Sequence, residues 1–412
     1  MKQIRDKVGG LDVHRDSVVA CARLQLPTGQ VEVTKERFAT TQEGLAELTA
    51  FLMDAGVSTV AMEATGIYWR TVYYALEGLF GELWLCNAQH VKNVPGRKTD
   101  LSDAEWLADV AAHGMVRPSF VPPPEIRELR ELTRYRKTQV DMRAHEIQRL
   151  EKCLQDAGIK LTSVTSKVWS QSSREMIEAL ISGERDAEVL AQMAKGVMRK
   201  KIDRLGVALE GNFGRHHALL CRQIVDHLNF LDRSIAMLSA DICARLVRFA
   251  PQVTILTSIP GVSEVTAQVI VAETGADMSR FPTPGHLSAW AGVAPASYES
   301  AGKRRPAGTR HGSPWLRRTL IQAARAAGRT KGTYYSAQYS RIARRRGPNK
   351  AAVAVAHSIL ETAWHLLMTG ALYDDPGADY FERRHDPAVE AKRLQHRIEA
   401  LGFSVTVTEK AA

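Results

Sequence analysis

Within the first 110 residues, carboxylates stand where predicted elements end or begin, and that spacing restricts the fold more than any other feature. Asp12 closes the apolar start of a first strand, Glu63 ends the strand Val57-Ser58-Thr59-Val60-Ala61-Met62, and Asp100 and Asp103 open a helix. On that helix, residues three apart share one face, with Cβ atoms roughly 5 to 6 Å apart. Taken singly, each acid is explained as a cap or as a complement to a helix dipole. Four in this order ask for more. Clustered carboxylates repel and push one another's pKa upward unless cations neutralise them. Magnesium, or manganese in its place, does so through hard oxygen ligands. Two such ions about 3.5 to 4 Å apart activate a nucleophile and stabilise a leaving oxygen in phosphodiester chemistry.

The pattern around these acids alternates strands and helices. Ser17 to Leu26 and Val31 to Phe38 read as β, joined by a turn at Pro27-Thr28-Gly29. Thr40-Thr41-Gln42-Glu43 reads as a capping box with Thr40 as N-cap, opening a helix to about Ala55. A helix over Trp69 to Phe80 and a strand over Leu83 to Asn87 follow. Early hairpin strands followed by β/α alternation predict an α/β, RNase H-like sheet for residues 1–121.

After Pro122-Pro123-Pro124 the chain turns helical. Ile126, Leu129, Thr133, Arg136, Val140, Arg143, Ile147, Leu150 and Leu154 step by threes and fours, and so do Leu220, Ile224, Leu228, Leu231, Ile235, Leu238 and Ile242. This heptad spacing predicts a coiled-coil spacer over 122–250, its two long helices paired with each other or with those of another protomer. Residues 251–370 open with Thr257-Ser258-Ile259-Pro260-Gly261-Val262, a helix-hairpin-helix-like turn whose backbone N–H groups suit a nucleic-acid phosphate, with Gly261 at its centre. Ser313-Pro314 marks one later helix start and Asn349 another. The tail, 371–412, reads as a charged helix and a short strand-like end.

The net charge of +10 is local. Between Ser300 and Leu360 there are fourteen Lys or Arg and no Asp or Glu, so the rest of the chain is slightly acidic. A solubilising surface mixes both signs; an acid-free stretch of this length points to a polyanion, of which nucleic acid is the commonest. Lys303, Arg304, Arg305, Arg310, Arg317, Arg318, Arg344, Arg345 and Arg346 are the candidate contacts, with Trp315, Tyr334, Tyr335 and Tyr339 interleaved for base stacking or for core packing. Five scattered cysteines without a C-x-x-C pair exclude a zinc or disulfide framework and predict buried free thiols. With no long uninterrupted apolar run and no apolar leader, the expectation is a cytoplasmic protein with no membrane partner.

Leu11-Asp12-Val13-His14, Met62-Glu63-Ala64-Thr65-Gly66, Lys98-Thr99-Asp100-Leu101-Ser102-Asp103, Ile259-Pro260-Gly261-Val262, and Gly292-Val293-Ala294-Pro295 through Glu299-Ser300-Ala301-Gly302-Lys303 together resemble the DEDD insertion-sequence transposases of the IS110 family, to which Piv-type DNA invertases are related. The resemblance implies a RuvC-like nuclease domain, a coiled-coil spacer and a C-terminal transposase domain. It further implies a DNA recombinase, directed by a structured guide (bridge) RNA that pairs with donor and target DNA. Asp12, Glu63, Asp100 and Asp103 would be the metal ligands and Ser300 the nucleophile. Where other branches carry Ser-Ser-Gly-Gly, this chain has Glu299-Ser300-Ala301-Gly302.

A serine hydroxyl needs a base or a metal to become nucleophilic. No His-Asp pair lies near Ser300 in sequence, so metal activation is the expected route to a phosphoserine link with DNA. Nearly two hundred residues separate Ser300 from Asp103, which predicts a site assembled between domains, shared between protomers of a homodimer or tetramer. Two other classes remain open at this point: a magnesium-dependent structure-specific endonuclease of the junction-resolvase type, without a covalent intermediate, and a non-catalytic nucleic-acid-binding protein.

Overall fold

The computed structural model describes residues 3–95, 102–296, 298–300, 302–305, 308–309, 312–383, 387–406 and 408. They fall into two compact units, residues 1–121 and 122–412.

The first unit is built on a five-stranded sheet of β1 (Lys7–Val13), β2 (Ser17–Gln25), β3 (Val31–Ala39), β4 (Thr59–Glu63) and β5 (Glu82–Cys86), in the order β3-β2-β1-β4-β5. β1, β2 and β3 pair antiparallel as consecutive hairpins, whereas β4 and β5 run parallel to β1 and need helical crossovers. Those connections are α1 (Gln42–Asp54) and α2 (Trp69–Leu76), followed after β5 by α3 (Ala88–Lys92) and α4 (Asp103–Ala112). Period-two alternation sorts the strand residues onto two faces. Leu11, Val60 and Met62 join Leu45, Leu48, Leu52, Val72 and Leu76 in one core. Val8 and Ala61 face the other way and join Ala104, Leu107, Ala108 and Ala111 of α4.

Gly10 lets α4 settle on the sheet. A Cβ there would lie 2.1 Å from Ala104 O and 2.6 Å from Ala108 N, so any side chain would collide with helix backbone. The other end of α4 is held at the start of β1, where Ile4 and Arg5 N–H groups donate to Ala112 O at 2.9 and 3.1 Å. α4 therefore runs antiparallel to β1, its N-terminus at the strand's C-terminal end.

Local details depart from expectation. The N-cap of α1 is Thr41, whose Oγ1 accepts from Gly44 N–H, while Thr40 Oγ1 donates to Arg15 O 2.8 Å away; the competing partner shifts the cap by one residue. α2 stops at Leu76, short of Phe80. α4 opens at Asp103 with the extended Ser102 as its N-cap, so the shared helical face argued for residues 100 and 103 does not carry over.

The second unit begins with α5 (Pro124–Asp156), 33 residues or about 50 Å of helix, and continues through α6 (Gln171–Ser182), α7 (Ala187–Gln192) and α8 (Ile202–Leu209) to α9 (Arg215–Leu246). α5 and α9 pair antiparallel with each other. Arg143 and Asp232 meet at 2.5 Å, Glu128 and Arg245 at 2.5 Å, and Asp156 and His217 at 3.0 Å. The buried seam slips by one residue in places: Val140 and Leu220 are exposed, and Gln139 and Cys221 lie inside. A 3.6-residue helix drifts from a strict heptad in this way. Residues of α6, α7 and α8 close a core over the far end of the pair, around Leu150, Leu154, Trp169, Met176, Leu190 and Leu205.

The unit continues with α10 (Ala250–Thr257), α11 (Glu264–Thr274), α12 (Pro284–Trp290), a two-stranded hairpin of β6 (Tyr298–Ser300) and β7 (Lys303–Arg305), then α13 (Pro314–Ala327), α14 (Tyr334–Arg346), α15 (Pro348–Thr369), α16 (Tyr380–Arg383) and α17 (Pro387–Glu399). Ser313 caps α13 with Pro314 at its first position. Asn349 does not cap α15: the cap position is Gly347, and Asn349 Oδ1 accepts from Arg325. α15 is the one helix among the described residues long and apolar enough to cross a membrane, but Ala352, Val355, Ala356, Ile359 and Leu360 bury one of its faces in the unit's core. Residues 403–406 form no strand.

Candidate carboxylate site and the serine hairpin

Register assembles the acidic site. Leu11 and Met62 are partners across the parallel pair β1 and β4, and Asp12 and Glu63 follow them, so both acids stand at the carboxyl ends of adjacent strands. Adjacent strands lie about 4.8 Å apart. Asp12 shares the face of Val8 and Gly10, and Glu63 that of Ala61, which is the face covered by α4. Because α4 is antiparallel to β1, Asp103 in its first turn comes to the same edge. Asp12, Glu63 and Asp103 thus stand at the same edge of the sheet. Asp100 lies outside the described residues.

Asp12 is 27% exposed and Glu63 half-buried, while Asp103 is exposed. His14 Nε2 lies 3.1 Å from Asp12 Oδ2 and holds that carboxylate at the strand end. Burial, and after it the charge of Glu63, pushes the Cys86 thiol up to about 12. Glu63 and Cys86 are register partners at the ends of β4 and β5. The α4 N-terminus carries partial positive charge that favours anions there. Carboxylates are hard oxygen donors, the kind a divalent cation of the magnesium type takes while keeping water and phosphate oxygens, so the donor chemistry at this edge suits such an ion.

Among the described residues, the cluster whose ligand atoms lie within 4.8 Å of one another is elsewhere, at Asp156, His216 and His217. The hydrogen bonds argue against a metal here. Gly214 N–H donates to His217 Nδ1 at 3.0 Å, which leaves the ring proton on Nε2, directed at Asp156 Oδ2 3.0 Å away. A ligating Nε2 would need that proton on Nδ1, facing another donor.

In the second unit, Ser300 ends β6. Its backbone pairs with Lys303, with Glu299 opposite Arg304 and Tyr298 opposite Arg305. Gly302, directly before β7, has φ +72, a conformation that suits a tight hairpin turn. For Ser300, Arg304 and Arg305 the description is of backbone alone, and Arg310 lies outside the described residues. Below the hairpin, Ala296 N–H donates to Gly308 O at 2.9 Å, and Pro295 bridges Thr309. Its feet touch where a Cβ on Gly312 would lie 2.3 Å from Gly292 N.

Other predicted contacts divide. Arg318, Arg344, Arg345 and Arg346 are exposed, and Arg317 is half-buried; Lys303 is exposed in the hairpin. Arg317 and Arg318 stand in the first turns of α13, against its dipole, where packing gives no reason for cations. Gly261, with φ +85 between α10 and α11, turns inward: a Cβ would lie 2.5 Å from Ala323 O and Ala327 N. Its glycine is explained by close packing on α13. The aromatic rings are also occupied within the unit. Tyr335 is buried with its hydroxyl donating to Thr362, Tyr334 stacks on Phe381 at 5.2 Å, Tyr339 packs at Gly328, and Trp315 faces Arg134. Cys21, Cys86 and Cys221 are buried free thiols, but Cys243 is exposed.

Sequence reasoning missed Gly10, which seats α4, and a buried acid, Glu273 of α11. Its side chain is 1% exposed and accepts two bonds from Arg134, at 2.8 and 2.9 Å, and one from Ser313 Oγ at 3.1 Å. The paired glycines Gly9-Gly10 inside a strand pattern are a readable signal of close approach. Glu273 has none.

Comparison with known proteins adds an independent line. Residues 9–159 match a family profile described as a transposase, and residues 253–340 match that of the transposase IS116/IS110/IS902 family. The chain is 26% identical over 380 residues to the transposase for insertion sequence element IS1111A of Coxiella burnetii, an alignment covering 90% of this chain and 92% of that protein. It is 28% identical over 165 residues to the putative transposase y4pF/y4sB of Sinorhizobium fredii, covering 38% and 40% of the two chains. To the insertion element IS110 uncharacterized 43.6 kDa protein of Streptomyces coelicolor it is 33% identical over 136 residues, 31% of this chain and 32% of that one.

Proposed function

Because the chain belongs to the IS110 family of insertion-sequence transposases, we propose that it cuts and rejoins DNA through a phosphoserine bond at Ser300, with Asp12, Glu63, Asp100 and Asp103 holding magnesium or manganese. What supports this reading is that Asp12 and Glu63 end neighbouring parallel strands while Asp103 opens a helix that packs on the same sheet face, antiparallel to β1. The strand order β3-β2-β1-β4-β5, with three antiparallel strands followed by two parallel ones, supports an RNase H-like, RuvC-like assignment for residues 1–121. Residues 122–250 serve as the helical spacer and 251–370 as the transposase domain.

Bound divalent ions supply neutralising charge at phosphorus and a lowered pKa for the attacking hydroxyl. The chain's own residues do the rest. Ser300 Oγ bonds to phosphorus as the bond to a sugar oxygen breaks, and the sugar leaves as an alcohol carrying the proton. The phosphodiester's bond energy is retained, so rejoining to a second strand needs no nucleotide cofactor. Lys303, with Arg304, Arg305 and Arg310, stabilises the added negative charge. Half-buried Arg317 and exposed Arg318, Arg344, Arg345 and Arg346 hold nucleic-acid backbone. Gly261 shapes the α10–α11 turn for the same surface. A structured guide RNA selects donor and target DNA, and a dimer or tetramer supplies the paired strands.

The test is recombination of matched donor and target DNA in the presence of RNA transcribed from the flanking element. Asp12→Asn and Ser300→Ala are each expected to abolish strand exchange while binding of DNA and RNA persists. Normal exchange by Ser300→Ala excludes the covalent route and leaves a nuclease that uses water.

A further inference from the structure

Glu273 lies in the penultimate position of α11 with its carboxylate withdrawn from water. A buried charge is tolerated only when paired and fully hydrogen-bonded. Arg134 of α5 supplies the pairing as a fork, Nε to Oε1 at 2.8 Å and Nη2 to Oε2 at 2.9 Å. Arg130, one turn earlier on α5, donates from Nη2 to the Glu273 main-chain oxygen at 2.6 Å and from Nε to Ala272 O at 3.3 Å, covering carbonyls at the end of α11. These contacts, with Arg136 Nη1 donating to Gln268 Oε1 at 2.8 Å, clamp α5 to α11.

The remaining donor is Ser313 Oγ, 3.1 Å from Glu273 Oε2, and it does two things at once. The same oxygen accepts from Leu316 N–H at 3.3 Å and so caps α13. Neither task requires the other: a serine caps a helix without a buried carboxylate, and the Arg134 fork satisfies a carboxylate without a serine. Joined, they fix the start of α13 to α5. Ser313 directly follows Gly312, where an added Cβ would lie 2.3 to 2.6 Å from backbone atoms of Ala291 and Gly292. Both feet of the hairpin that ends at Ser300 are therefore gathered one residue from this hydroxyl.

We propose that Glu273 and Ser313 are positioning residues for the serine hairpin, transmitting the placement of the long helix α5 to the feet of β6 and β7. The proposal rests on the reading of Ser300 as nucleophile. Neither residue touches DNA; the chain Arg134, Glu273, Ser313, Gly312 and Gly292 sets where the hairpin stands.

The experiment follows covalent protein–DNA adduct formation by the full-length protein under single turnover, from preassembled complexes at saturating DNA, with DNA affinity and thermal melting measured in parallel. Ser313→Ala is expected to slow adduct formation between about 10-fold and 10²-fold, the cost of an ångström-scale misplacement, with DNA half-saturation within about twofold of wild type. Ser313→Thr, which keeps a hydroxyl for both bonds, is expected to restore the rate. Glu273→Gln breaks the charged link from the other side, and combined with Ser313→Ala it should cost little more than the slower single variant, as residues acting through one link do. Wild-type adduct rates in Ser313→Ala, or a loss that matches its unfolded fraction, overturn the proposal. A Ser300→Ala control separates the two claims. Persistent adduct in that variant removes the nucleophile reading, whereas its absence beside a wild-type rate in Ser313→Ala removes the positioning role alone.

Discussion

The two units hold their functional groups by opposite means. In the first, the acids ride on the sheet itself: Asp12 and Glu63 are the next residues along strands whose interiors are closed on both faces, and α4 delivers Asp103 because Gly10 lets helix backbone touch strand backbone. In the second, Ser300 ends β6 of a two-stranded hairpin that, among the described residues, belongs to no larger sheet. Such a ribbon is marginal in water by itself. Glycine contacts at Gly292 and Gly312, and the hydrogen bond of Ser313 to Glu273, lie at its feet. On the proposed reading, the contrast teaches that a metal site is served by a stiff platform, while a nucleophile that must change partners is served by a slender arm with a well-held base.

The largest expected effects test that division of labour. Asp12→Asn should lower every phosphodiester reaction of the protein by about 10³-fold or more, read as both strand cleavage and strand joining. Ser300→Ala should remove joining while a slow metal-dependent cleavage by water survives; equal loss of both activities in the two variants erases the distinction. Next comes Gly10→Val, whose side chain meets Ala104 O 2.1 Å from the Cβ position. It should destabilise the first unit by about 3 kcal/mol or more, seen in denaturant unfolding followed by a probe in residues 1–121. Gly302→Ala, where no neighbour lies within 4 Å but φ is +72, should cost only about 1 kcal/mol locally and leave the global transition unchanged. A larger shift for Gly302→Ala than for Gly10→Val contradicts the platform-and-arm picture.

The smallest effect concerns acid stability. Arg5 holds the Glu82 carboxyl below its ordinary range, against some burial and with help from Thr59. For Asp232, burial pushes upward but is outweighed by hydrogen bonds from Arg143, Trp169 and Arg174, so its carboxyl also sits low. A carboxylate whose folded pKa is depressed contributes stability above its unfolded value, near about 4, and loses it as pH falls through the folded value. Glu82→Gln should therefore flatten the acid limb of the first unit's melting curve and Asp232→Asn that of the second. Changes confined to neutral or alkaline pH speak against both assignments.

Much of the first unit was legible because strands with period-two burial and acids at their ends leave a local record in sequence. Asp12, Glu63 and Asp103 come from β1, β4 and α4, well apart along the chain, yet each is marked by the end or start of its own element. What local reading got wrong there, it got wrong locally: Thr40 finds Arg15 O and cedes the cap to Thr41, and Ser102 starts α4 after residue 100. The second unit was harder. Its long helices announce themselves by heptad spacing, but Val140 and Gln139 exchange places as the helix drifts from that period. Gly261 reads in sequence as the centre of a phosphate-binding turn, and its close packing on α13 was not legible there, because only the fold says which helix arrives. The contact of Glu273 with Arg134 spans 139 residues and that with Ser313 spans 40. No periodicity encodes a pairing of that range.

The most direct test is to incubate the protein with donor and target DNA, flanking-element RNA and magnesium, quench during the reaction, digest DNA and protein, and locate any nucleotide-bearing peptide by mass spectrometry. The account predicts a nucleotide phosphate on Ser300, present in wild type and missing in Asp12→Asn. Cleaved DNA with no protein bond, carrying an oxygen from labelled water on its new phosphate, would contradict it.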